Sequence, residues 1–177
     1  MLTSILSALR FVLAVLSHAA LLLSAGVALA ASTVELAPGL EITLPTSLVI
    51  DVLEQGQQKS PVIAGEVGGE PGYFIAATKI KTWERNNILW RKLETEIRSR
   101  SASDFTIVMR GSFTTTANDA VWFRAYEYES LDQQHRQVYF LLKGERSIYW
   151  VTLTMIEGVD VDLVIPIAKA LLHRAKI

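Results

Sequence analysis

The sequence predicts an α+β domain in which an antiparallel β-sheet meander carries helices packed on its faces. Three observations predict it. Four β-rich runs follow one another between Phe105 and Ile156 with short polar turns between them, the signature of a meander. Two segments with apolar residues at helical spacing bracket those runs, and each has an apolar stripe that must cover something. Several strands are apolar on both faces, as in Val138, Phe140 and Leu142 against Tyr139 and Leu141. Both faces of the sheet therefore need cover, and one helix on each supplies it.

The first thirty residues differ from the rest. Arg10 is the one charge ahead of an almost unbroken apolar run from Phe11 to Ala30, which is the layout of a secretory signal. Ala28 and Ala30 supply the small residues of an A-x-A cleavage site. Residues 1–30 are thus expected to be a signal peptide cut after Ala30, and residues 31–177 a single domain, periplasmic or secreted. The alternative is an inner-membrane anchor, because Phe11 to Leu29 comes close to the roughly 18 apolar residues of a spanning helix. Ser17, His18, Ser24 and Gly26 and the Ala-rich end favour cleavage over that alternative.

Losing Arg10 from the 17 Lys and Arg leaves 16 bases against 18 acids, a formal charge of −2. With no basic cluster, nucleic acid is not an expected partner. Cysteine is absent, so there is no disulfide, no thiolate metal site and no cysteine for a lipid anchor. A chain of roughly 150 residues buries enough surface for one core without staples.

Leu40–Leu44 and Leu48–Val52 read as short strands separated by Pro45. From Glu54 to Gly72 the text turns polar and reads mostly as loop, with a brief strand at Val62–Ala64. Its glycines do not make a phosphate loop, since the Gly-Lys-Ser/Thr ending is missing and Glu66 and Glu70 would repel an anion. Tyr73–Lys81 returns to strand, and Thr82 is placed to cap a helix from Trp83 to about Ser99. Asn86, Leu89, Trp90, Leu93 and Ile97 form its inner stripe, and Glu94 and Arg98 stand as an i,i+4 pair on the solvated side. The meander then runs through Phe105–Met109 into SFTTT, Val121–Glu129, Val138–Lys143 and Ser147–Ile156, with turns at 117–119, 133–137 and 144–146. A last helix spans about Ile165 to Lys176, with Pro166 in its first turn, Ala168, Leu171, Leu172 and Ala175 inward, and His173, Arg174 and Lys176 complementing the dipole at its end.

The LEITLP strand, the middle helix, the meander AVWFRAYEYES and QVYFLLKGERSIYWVTLTM, and the closing helix IAKALLHRAKI together resemble the PsbP-like fold. This α/β/α sandwich is shared by thylakoid PsbP proteins, a Ran-binding nuclear factor and bacterial DcrB-like exported proteins. The resemblance covers about Leu36 to the C-terminus and implies a non-catalytic accessory role exercised through protein contacts. DcrB-like members are often lipoproteins; without a cysteine, this chain would be a soluble periplasmic form.

No catalytic constellation stands out. His135 falls in a turn and His173 at a helix end, neither near a second ligand at metal spacing, and no G-x-S-x-G elbow exists. Glu127 and Glu129 share one strand face, and Asp51 and Glu54 could approach them as a carboxylate pair. No cofactor is implied. In VWFRAYEYES, alternation places Val121, Phe123, Ala125, Glu127 and Glu129 on one face and Trp122, Arg124, Tyr126 and Tyr128 on the other. Either a helix covers these rings while Arg124 reaches the rim, or Trp122, Arg124, Tyr126 and Tyr128 with Trp90 form a partner or ligand surface, since Trp, Tyr and Arg are enriched at interface hot spots.

The expected function is that of an exported, non-catalytic accessory or binding protein, envelope-associated or of the immunity type, with an unknown protein partner. Membrane contact would come through an uncleaved N-terminal segment. The alternative is a small-molecule carrier with a pocket between sheet and helix lined by Trp90, Trp122, Tyr126 and Arg124.

Overall fold

The structure, a computed structural model, describes residues 32–45, 48–55, 58–102, 104–130 and 133–177. The expected signal peptide and its cut after Ala30 lie outside the described residues. The chain forms β1 (Ser32–Ala37), β2 (Leu40–Leu44), β3 (Val49–Gln55), β4 (Gln58–Val67) and β5 (Glu70–Ile80). Helix α1 (Asn86–Arg100) follows, then β6 (Thr106–Thr114), β7 (Ala120–Ser130), β8 (Gln133–Lys143), β9 (Ile148–Met155) and helix α2 (Val161–His173). Seven strands make one sheet in the order β3-β4-β5-β9-β8-β7-β6, every neighbouring pair antiparallel. The meander expected from the sequence is the β6–β9 half, and β5 pairs with β9 to join the halves.

Two apolar layers flank the sheet. One holds Ile75, Phe123, Phe140, Val151 and Leu153 against Val164, Ile165, Ala168, Leu171 and Leu172 of α2, and against Leu36, Leu40, Ile42 and Leu44 of a separate β1-β2 hairpin. The other holds Tyr126, Tyr128, Tyr139, Leu141 and Ile148 under Leu89, Trp90, Leu93 and Ile97 of α1. One helix on each face is what two-sided apolar strands require, at about 1.5–3 kcal/mol per large side chain buried.

Residues 54–72 are not mostly loop. They belong largely to a long hairpin, because Gly68 and Gly69 both take positive φ, 67° and 89°, and so close a two-residue turn between the paired Val67 and Glu70. Consecutive positive φ values are what a type I′ hairpin turn needs, and glycine adopts them without steric cost. Pro71 is accommodated where the register shifts between Gly65 and Glu66. Ser32–Ala37, which carried no expectation, is the first strand of the small hairpin.

The polar run 133–137 is likewise strand, since Ser130 already pairs with Gln133. Thr82 does not cap α1. The N-cap is Arg85, without a side-chain bond, while the Thr82 hydroxyl donates to Glu84 Oε1 at 3.5 Å and Trp83 stands outside the helix under the Lys143 ammonium at 4.8 Å. Helix α2 starts four residues early because the Asp160 carboxylate accepts from the Asp162 amide at 3.0 Å. Pro166 therefore falls in the second turn, where it leaves the Asp162 carbonyl without its helical donor. Asp162 and Pro166 are both exposed, so water can serve that carbonyl.

Candidate functional site

Alternation along β7 sorts its side chains as the period of two demands. Val121, Phe123 and Ala125 enter the α2-side core, while Tyr126 and Tyr128 enter the α1-side core at 0 % and 2 % exposure. Trp122 and Arg124 share that second face and stay half-buried. Trp90 comes down on them from α1 and is itself buried.

Arg124 is held by Glu94 and Trp90, and Tyr126 holds Glu94 in turn. The Arg124 Nη1 donates to Glu94 Oε1, its guanidinium lies over the Trp90 ring at 4.5 Å, and Tyr126 donates its hydroxyl to the same Glu94 oxygen at 3.1 Å. Trp90 meets Trp150 edge to face at 4.8 Å, and Tyr126 meets Phe105 and Tyr139 edge to face at 5.4 and 5.8 Å. The pocket expected between Trp90, Trp122, Tyr126 and Arg124 is thus filled at its centre by its own lining.

Glu94 was expected to pair with Arg98 on a solvated face. Arg98 instead pairs with Asp104 at 3.4 Å and covers Phe105 at 5.1 Å, leaving Glu94 for Arg124. That pair spans thirty residues, and no spacing rule could have found it. A modest signal existed for the deeper layer, where Tyr128 and Tyr139 both donate to Gln137 Oε1, at 2.7 and 2.6 Å. The Gln137 Nε2 donates onward to Thr154 Oγ1 at 3.1 Å, so a polar residue in a β-rich run is here a core acceptor.

Burial pushes the Tyr126 hydroxyl well above the usual phenol range, with the Glu94 charge adding to it, and burial raises Tyr128 and Tyr139 as well. A phenol whose folded pKa is raised binds a proton that the unfolded chain loses above about pH 10. Its contribution is complete below that value and falls by about 1.4 kcal/mol per pH unit per tyrosine above it. Urea midpoints should therefore fall steeply from about pH 10 upward, with Tyr126, Tyr128 and Tyr139 ionising only as the protein unfolds. Tyrosinate forming at Tyr126, Tyr128 or Tyr139 in the intact fold would contradict this.

The carboxylates do not converge. Glu127 pairs with Arg136 at 2.7 Å, and four strands separate β7 from the β3 that carries Asp51 and Glu54, a distance of roughly 24 Å at normal strand spacing. His135 stacks on Tyr128 at 5.3 Å with its Nε2 3.2 Å from the Ser130 carbonyl. His173 Nδ1 donates to the Thr114 carbonyl at 2.8 Å. Among the described residues no group of three or more His, Asp or Glu is placed to hold a metal ion.

Helix α1 covers β7 to β9 and leaves β6 open. On the same face as Arg124 and Trp122, their register partners Arg110 and Ser112 are exposed, Ile107 and Val108 are exposed beside them, and among the described residues β6 has no neighbour on its outer edge. Trp122 and Arg124 therefore form the inner wall of a shelf whose floor is a free strand edge.

No family model matches the chain, and no curated protein sequence is significantly similar to it. Solved structures do share its architecture. The solution structure of cyanobacterial PsbP from Synechocystis sp. PCC 6803 aligns with a TM-score of 0.55 at 11% identity, over 87% of this chain and 97% of that one. LpqN of Mycobacterium tuberculosis, described as involved in cell envelope biogenesis, aligns with a TM-score of 0.51 at 9% identity, over 84% and 86%. At such identities the likeness is one of fold, and the fold of this chain is the PsbP-like α/β/α sandwich.

Proposed function

We propose that the chain is an exported, non-catalytic accessory protein that acts through protein contacts, and that its docking site is the shelf formed by β6 with Trp122 and Arg124. The observation that carries the reading is the β6 edge, unpaired among the described residues, whose own Arg110 and Ser112 stand in register with Arg124 and the half-buried Trp122. An unpaired edge offers backbone donors and acceptors to an extended segment, and flanking side chains select it. Arg110 has no ion pair among the described residues, whereas Arg124 is neutralised by Glu94. The segment is therefore one with an acidic side chain placed opposite Arg110. Export rests on the residue 1–30 layout, and an envelope setting is in keeping with the role described for LpqN.

A photo-crosslinking residue in place of Ser112 should form a discrete adduct with a protein partner in the host envelope. The same residue in place of Glu70, at the far hairpin, should form none. Arg110→Glu reverses the charge at an exposed position and should reduce the adduct at least about fivefold, the effect of losing a contact worth about 1 kcal/mol. Trp122→Ala should reduce it about 30-fold if the ring is an anchor worth about 2 kcal/mol. Equal adducts from Ser112 and Glu70, or an adduct indifferent to Arg110→Glu, would overturn the reading.

A further inference from the structure

Helix α2 has an outer surface that nothing among the described residues covers. Opposite its buried stripe it presents Leu163 at 60 % exposure and Ile167 at 36 %, with Pro166 and Ala170 also exposed. Between Asp162 and His173 the one charged residue is Lys169, whose ammonium is turned over Phe113 and Phe123 at 5.6 and 5.4 Å. A helix apolar on both sides is expected where both sides are covered. Helix α1, by contrast, sets Arg91 and Lys92 outward. A groove of about 410 Å³ runs beside α2, lined by Thr43, Pro45, Pro166, Ile167, Ala170 and Arg174 among others.

The chain enters the fold at this same surface. Ser32 pairs with Leu44, between the groove residues Thr43 and Pro45. Only Ala31 separates Ser32 from the apolar run Phe11–Ala30, and one extended residue spans at most about 3.6 Å. With that run in a bilayer, the surface around Ser32 has no slack with which to stand away from lipid.

We propose that the outer face of α2 is a membrane-seating surface, and that its occupant is the bilayer holding residues 11–30 of the same chain. Leu163, Pro166, Ile167 and Ala170 enter the interface. Arg174 on the groove, with Lys176 beyond it, meets the lipid phosphates, while the acids Asp160 and Asp162 mark the opposite end of the helix. Four such side chains alone give reversible attachment, and a second membrane signal makes it stable. The attached run is that signal, and a cut after Ala30 converts stable seating into exchange. This surface lies on the opposite face of the sheet from the site on β6, so either proposal can fail without the other.

The sequence contains no cysteine, so Ile167→Cys and Leu163→Cys each give one attachment point for an environment-sensitive fluorophore. With the full chain in phosphatidylethanolamine and phosphatidylglycerol vesicles, both labels should shift to the blue and be quenched by a lipid-borne quencher. A label at Arg91→Cys should do neither. Three labels that behave alike would overturn the proposal. So would α2 labels shielded from water yet untouched by the lipid quencher, the result expected if a second copy of the chain covers the face.

Discussion

Gly65→Ala should destabilise the fold by about 3 kcal/mol, the upper end of what overpacking a filled core does. Gly65 pairs directly with Tyr73 across β4 and β5, and a Cβ there would lie 2.0 Å from the Tyr73 Cζ. The ring cannot step aside, because Tyr73 is buried at 1 % exposure among the residues that pack under α2 and the β1-β2 hairpin. Tyr73→Ala removes the obstacle and should itself cost about 3–5 kcal/mol through the cavity it leaves. In that background the added methyl should be almost neutral, so a double-mutant cycle read by urea denaturation should show a coupling of about 3 kcal/mol. Additive effects of the two substitutions would mean that the glycine is there for its backbone freedom and not for the ring.

The same glycine shows where sequence reading succeeds and where it stops. Period-two alternation located β7 to β9 because those strands are buried on both faces and their apolar residues are dense, while the mostly exposed β6 was legible from its β-rich residues alone. It missed most of β4 because the polar, glycine-rich text from Glu54 to Gly72 resembles loop. One of its glycines is there to pass beneath an aromatic ring, and two others close a turn. The expected turn at 133–137 fails for a related reason: Gln133, Gln134 and Arg136 are polar because they are exposed on the strand and Gln137 is polar as a core acceptor, and neither marks a turn. For the candidate site, alternation set Trp122, Arg124, Tyr126 and Tyr128 on one face, and the structure keeps them there. How deeply each lies depends on where α1 crosses the sheet and on Glu94, a contact thirty residues away that local patterns do not encode.

Gln137→Leu should cost about 4 kcal/mol although it preserves side-chain bulk and adds apolar surface. Gln137 is 3 % exposed, and Tyr128 and Tyr139, whose hydroxyls it accepts, are 2 % and 6 % exposed. A carboxamide oxygen has two lone pairs, and both are used here, at 2.7 and 2.6 Å. The leucine leaves two buried O–H donors without that acceptor, each worth about 1–3 kcal/mol when orphaned. Arg100 beside Tyr139 cannot substitute, since a guanidinium only donates. Adding Tyr128→Phe to Gln137→Leu removes one orphan and should return about half of the loss, because deleting both partners of a buried hydrogen bond is far milder than deleting one. Thermal or urea unfolding of the two variants decides it. A double variant no more stable than Gln137→Leu alone would show that the glutamine acts through packing or through Thr154, and that the tyrosine hydroxyls of the α1-side core find other acceptors.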